Sequence, residues 1–246
     1  MKVFFRLMFG LGTIINCTAI IIAGILGILF GSHLKESMQD TLMKANGVAV
    51  IFIGIGGALS KMLMIHKGTI ETTGTMMMII SLALGAVFGE MLDLDGRMTQ
   101  FGKWLKIKTG NAKDKKFVDG FVTASLTVCI GAMAVVGSIE DGIHADHSIL
   151  FAKAILDFVI ILVMSTSLGK GCLFSFVPVG LFQGSITLLA SAISPFITTT
   201  AMSALSFVGS ILIFCVGLNL VFDTKIRVAN LLPGLIIACI CTIFPM

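Results

Sequence analysis

Two ionisable residues interrupt an otherwise apolar stretch of this sequence: Lys153 and Asp157, four apart within residues 148–168. On a helix that spacing leaves about 40° between them, so both face one side and can pair. An ammonium and a carboxylate inside a lipid-spanning segment are costly alone and mark a cation or proton route. Asp157 is then the cation ligand and Lys153 its counter-charge. A static pair, with Lys153 snorkelling to the outer surface, is the competing reading.

Neutral oxygens recur in similar surroundings. Thr123 and Thr127 share one face of segment 117–139, with Ser125 opposite. Gln183, Ser185 and Thr187 punctuate 171–192, beside Gly184 and after Pro178. Asn16 lies in 10–30 near Thr13 and Thr18. Asn219 and Asp223 close the segment 201–221, and Asn230 opens the last one. Hydroxyl and amide oxygens suit hard monovalent cations, and Pro and Gly can free carbonyls to join them. The alternatives are hydroxyls bonding their own i−4 carbonyls and amides bonding neighbouring helices. The candidate ion-binding or pathway residues are therefore Asn16, Thr123, Ser125, Thr127, Lys153, Asp157, Gln183, Ser185, Thr187 and Asn219. The polar faces of the first, fourth, fifth and sixth segments are expected to converge near the bilayer midplane, with oxygens from Asp157, Thr123 and Gln183.

Residues Glu140 to His147 are acidic and carry His144 and His147, but their spacing matches no metal motif. A solvated outward loop that concentrates cations is expected there. Enzyme signatures are missing: there is no GxSxG, HExxH or P-loop, and Gly54-Ile55-Gly56-Gly57 sits mid-helix. No enzymatic activity, cofactor or metal is expected. The six cysteines all lie in apolar runs and read as small packing residues. No basic stripe interleaves with aromatics, so no nucleic-acid partner is expected.

The elements that position these groups follow from composition. The chain is 57% hydrophobic and 12% charged, against about 25% charged in soluble domains. Only lipid can cover so much apolar surface. Crossing the hydrocarbon takes about 20 apolar residues, and eight segments qualify or nearly do: 10–30, 46–65, 75–91, 117–139, 148–168, 171–192, 201–221 and 228–244. Seven is the alternative count, because the third and eighth are short and Pro233 interrupts the last. The expected fold is all-α, a polytopic transmembrane helix bundle forming a single integral membrane domain over 1–246.

Leu34, Met38 and Leu42, and again Met98, Phe101 and Leu105, recur at helical spacing and predict two amphipathic interfacial helices. With eight spans, Lys35, Lys44, the run Arg97–Lys116, Lys170, Lys225 and Arg227 fall on one side, against Lys2, Arg6, Lys61 and Lys67 on the other. The positive-inside rule puts the first side in the cytoplasm and both termini outside. No cleavage site follows the first apolar run, so it reads as a retained helix, with Met8 an alternative start. Leu26–Gly31 recurs as Leu84–Gly89, and Leu126–Gly131 as Leu212–Gly217, the second pair inverted. Gly-rich faces at Gly24–Gly31 and Gly54–Gly57 suit helix contacts within a subunit or in a homo-oligomer.

Several stretches resemble the YqgA/YdfK family of prokaryotic membrane proteins. They are Gly12-Thr13-Ile14-Ile15-Asn16, Phe121–Ser125 with Gly131–Gly137, Asp141-Gly142 through Asp146 to Asp157, Gln183–Thr187 and Lys225–Pro233. The likeness covers nearly the whole chain; Met1–Met8 and His144 depart from it. It implies a multi-pass protein of the bacterial inner membrane, from a family described as a candidate sodium channel or pump. It supplies no binding residues. The function expected from sequence is passage of a small cation, Na⁺ or H⁺, by a channel or secondary transporter. The alternative is a non-transporting scaffold or envelope sensor.

Overall fold

The computed structural model describes residues 10–66, 68–196 and 198–243. Lys2, Arg6, Lys67, the Met1–Met8 stretch and the end of segment 228–244 lie outside them. The described residues are all-α apart from one short hairpin. The helices are α1 (Leu11–Gly31), α2 (Glu36–Met62), α3 (Thr75–Leu92), α4 (Leu94–Lys108), α5 (Phe117–Cys129), α6 (Ala132–His144), α7 (Ser148–Leu168), α8 (Phe176–Leu188), α9 (Ala190–Ile193), α10 (Thr199–Phe222) and α11 (Pro233–Cys241). Tighter 3₁₀ turns cover Gly169–Ser175, Ser194–Phe196 and Val228–Leu231. The hairpin pairs β1 (Leu63–His66) with β2 (Thr69–Thr72) in antiparallel register, Leu63 opposite Thr72. Gly68 at φ +82 and the β-branched Ile65, Thr69, Ile70 and Thr72 favour it.

Among the described residues, five helical stretches are long and apolar enough to cross a bilayer: Leu11–Gly31, Glu36–Met62, Thr75–Leu92, Ser148–Leu188 and Thr199–Phe222. A sixth arises if α5 and α6, bent by 63°, count as one broken span. Three of the eight segments read from sequence differ in form. Segment 117–139 breaks at Ile130 and Gly131, where Gly131 takes φ +148. Segment 171–192 starts as a 3₁₀ turn and leaves only 13 residues in α8. Segment 228–244 has nine residues in α11, which starts at Pro233. Of residues 34–44, expected as an interfacial helix, 36–44 form the start of the continuous α2 and Leu34 and Lys35 precede it.

The chain falls into two compact units. The first holds residues up to Asn46, Thr99–Cys129 and Met133–Phe196. Here α1 and α7 run parallel, because Gly12 meets Leu150 and Gly31 meets the Thr166 backbone. Helix α8 runs back along α1, since Gly24 abuts Leu173 and Gly180 abuts Cys17. Ile20, Ala23, Ala124, Val128, Ile161, Met164, Cys172 and Val179 form its buried core. The second unit holds Gly47–Met98, Ile130–Ala132 and the chain from Ile197. In it the backbones touch: a β-carbon on Gly85 would lie 2.6 Å from the Gly234 nitrogen, and one on Gly54 2.6 Å from the Phe214 nitrogen. The Gly-rich faces are thus used within the chain; only Gly56 of the two stretches Gly24–Gly31 and Gly54–Gly57 meets nothing within 4 Å. Large apolar side chains such as Phe52, Ile79, Ile155 and Leu181 stay exposed, as a lipid-facing surface requires.

Candidate functional site

The first unit gathers four polar side chains in its interior. Lys153 and Asp157 stand one turn apart on α7, Asn16 comes from α1 and Gln183 from α8, and all are at most 7% exposed. The Lys153 ammonium donates to both Asp157 oxygens, at 2.9 Å (Oδ1) and 2.8 Å (Oδ2). Its third proton goes to the Val128 carbonyl at 2.7 Å. That carbonyl lies in the last turn of α5, where helix carbonyls lack an i+4 partner. The interruption of the helix after Cys129 therefore supplies an acceptor that a continuous helix would have used.

Asn16 Nδ2 donates to Asp157 Oδ2 at 2.9 Å and, more weakly, to Gln183 Oε1 at 3.4 Å. Asn16 Oδ1 and Gln183 Nε2 are buried without a partner. The site thus holds a lysine–carboxylate pair, with three acceptors around the lysine nitrogen, one unpartnered amide oxygen and one unpartnered amide nitrogen. Removing either ion would strand the other in a low-dielectric interior, which explains why the two occur together.

Of the candidates read from sequence, Asn16, Lys153, Asp157 and Gln183 are brought together. The polar face expected of the fourth segment does not reach them: that segment contributes the Val128 backbone carbonyl and neither Thr123 nor Thr127. Thr127 donates to the Thr123 carbonyl at 2.8 Å, and Ser125 to the Phe121 carbonyl at 2.6 Å. Both are the local back-bonds that Ser and Thr make in helices. Ser185 is exposed and bonds the Phe182 carbonyl at 2.8 Å. Thr187 is buried, one turn beyond Gln183, with its hydroxyl unpartnered. Asn219 belongs to the second unit. It ties down the end of α10 by bonding the Ile226 N–H and carbonyl, at 2.8 Å each, and Thr224. Pro178 frees no carbonyl, since it sits in the first turn of α8.

Sequence reasoning missed a second polar group. Glu140 and Asp141 lie on α6, and the solvated loop expected over 140–147 is mostly helix. Asp141 and His147 are buried, with Asp141 Oδ1 and His147 Nδ1 2.6 Å apart. The available signal was helical phase: Ser138 and Asp141 are three apart, on one face. Asp146 faces solvent, and Glu140 is half-buried. A hydrogen bond from Ser148 holds the Asp146 carboxyl below its ordinary pKa.

In the second unit Arg227 pairs with Glu90 and Asp93, and Asn230 with Glu90 and the Asp95 N–H. Burial raises the Asp95 carboxyl, and Arg227 opposes that rise. A groove of about 380 Å³ in this unit is lined by Lys61, Thr73, Thr200, Ser203 and Thr242, among others. Among the described residues, no group of three or more His, Cys, Asp or Glu side chains is placed to hold a metal.

A family described as a protein of unknown function, DUF554, matches residues 11–243. An uncharacterised membrane protein of Bacillus subtilis (strain 168), YdfK, is 31% identical over 226 residues, covering 92% of this chain and 93% of the relative. The uncharacterised protein YqgA of Escherichia coli (strain K12) is 27% identical over 232 residues, covering 93% and 94%. No solved structure matches.

Proposed function

The chain belongs to the DUF554 family of membrane proteins, and we propose that it passes a small monovalent cation, Na⁺ or H⁺, through its first unit by way of Asp157. The observation that carries this reading is the buried constellation of Asp157, Lys153, Asn16 and Gln183 beside a broken helix. Intramembrane ionisable groups facing a bundle interior, next to discontinuous helices, are how ion sites are built in lipid.

The chemistry follows from who holds the carboxylate. Lys153 occupies both Asp157 oxygens, so its ammonium stands where a substrate cation would. An arriving Na⁺ or proton takes over those contacts, and Lys153 turns to other acceptors, with Val128 already holding it. The free Asn16 oxygen supplies a further ligand. All four side chains are closed to solvent, which favours a gated transporter over an open pore. No nucleotide motif is present, so the driving force is an ion gradient.

The topology of this reading has eight crossings, with α5–α6 a broken one and α7–α8 folded back on each other. The basic loops are cytoplasmic and the membrane is the bacterial inner membrane. The repeat is supported by use: Gly27 and Gly31 of one copy, and Gly85 and Gly89 of the other, each press on partner backbone within their own unit. A gradient of Na⁺ or H⁺ across liposomes carrying the purified protein tests the proposal. Absence of flux of Na⁺, K⁺ and H⁺ would overturn it.

One observation favours the alternative of a non-transporting scaffold or envelope sensor. Every Lys153 proton is used, as a static pair would have it. That reading predicts that removing the pair leaves the cellular phenotype intact while changes in Arg97–Lys116 abolish it.

A further inference from the structure

A second polar layer lies one helical turn away from Asp157, between the same two helices. Asp141 Oδ2 stands 3.2 Å from where a β-carbon on Gly12 would be. Gly12 is four residues, about 6 Å, before Asn16 on α1. Next to Asp141, Gly142 presses on the Thr187 carbonyl, with a β-carbon there only 2.5 Å from it. Thr187 is four residues after Gln183 on α8. Asp141 is therefore wedged between α1 and α8, offset by one turn on both.

This layer is polar and unsatisfied. Asp141 Oδ2, His147 Nε2, Thr13 Oγ1, Ser138 Oγ and Thr187 Oγ1 are all buried without a hydrogen-bond partner. Their residues are at most 7% exposed. Buried polar groups are normally paired, and orphans in such number ask for an occupant. His147 holds Asp141 by Oδ1 alone, so the carboxylate keeps one oxygen fixed and presents the other. Carboxylate and hydroxyl oxygens are the ligands of a hard cation.

We infer that Asp141, with the hydroxyls of Thr13, Ser138 and Thr187, forms a second binding site for a Na⁺-class cation, one helical turn from Asp157. His147 is its positioning residue. As a station on the way to Asp157 the site rests on the proposed cation passage; as an equilibrium binding site it stands without it.

The test measures thermal unfolding of the full chain in lipid nanodiscs, in NaCl, KCl or choline chloride at equal ionic strength. The background is the double variant Lys153→Met/Asp157→Leu, which removes the first site. There the inference predicts a sodium-specific stabilisation that Asp141→Asn abolishes. Thr13→Val and Thr187→Val remove hydroxyls that bond nothing. They should melt in choline at the original temperature or above, and raise the sodium concentration giving half the stabilisation about tenfold, the equivalent of one lost ligand. These variants decide the question should Asp141→Asn fail to fold. An unchanged sodium response in both Thr→Val variants, or equal melting in sodium and choline in the parent, overturns the inference. Absent liposome flux with this sodium response intact would instead refute passage and leave the site standing.

Discussion

Breaking the Lys153–Asp157 pair from one side should cost far more than deleting it. Asp157→Asn removes the carboxylate that accepts two bonds from Lys153 and one from Asn16. The ammonium then keeps the Val128 carbonyl and at most one neutral amide oxygen, with no counter-charge. Stranding a buried charge costs about 3–5 kcal/mol. Lys153→Met strands the carboxylate with only the Asn16 amide, at a similar cost. The double variant Lys153→Met/Asp157→Leu strands no charge. Apolar replacement of a buried pair gains about 1–4 kcal/mol. Against that, the Val128 carbonyl and the Asn16 amide lose partners, at about 1–3 kcal/mol each. At mid-range values the double variant should therefore lie about 1–2 kcal/mol below the parent, and fall short of the summed single costs by about 6 kcal/mol. Unfolding titrations in mixed micelles measure all four corners of the cycle. Additive single and double effects would refute the pairing, because they would mean the two side chains do not share one buried site.

Other outcomes follow from the same geometry. Gly89→Ala would put a β-carbon 1.8 Å from the Asn230 carbonyl oxygen, and should cost roughly 1–3 kcal/mol as backbones part. Gly56→Ala, which meets nothing within 4 Å, should gain about 0.5–1 kcal/mol from helix propensity; melting of both variants checks the contrast. The Ser148 hydrogen bond depresses the Asp146 pKa. Its contribution is then complete above the unfolded value of about 3.9 and lost as pH falls through the lower folded value. Asp146→Asn keeps an acceptor and should flatten that acid limb in melts between neutral and acid pH. A cysteine at Lys113, in a chain freed of its native cysteines, should react with an impermeant thiol reagent only from the cytoplasmic side; labelling from outside would reverse the topology.

The legible part of the site was the part written in side-chain spacing. Lys153 and Asp157 announced themselves by four-residue separation in an apolar run, and Asn16 and Gln183 by polarity in one. The Val128 carbonyl could not be read that way, because its availability comes from a helix ending two residues before Gly131, and backbone groups carry no residue code. Thr123 and Ser125 were overvalued because local carbonyls compete for helical hydroxyls. Asp141 and His147 read as loop because charge suggests water, although the phase of Ser138 and Asp141 places both on one face of α6. Asn219 misled for a related reason: an amide near a helix end serves the chain reversal after Asp223, whose φ of 52 closes α10. The apolar character and most helical segments were plain from composition. The form of 117–144 was not, since one glycine at a left-handed φ decides it.

Passage of a cation by way of Asp157 is decided by ion flux into liposomes carrying the parent chain or the folded Lys153→Met/Asp157→Leu variant. Gradient-driven uptake of Na⁺ or H⁺ is expected for the parent and background leakage for the variant, with both chains equally folded. Equal flux through the two, or none through the parent, would contradict it.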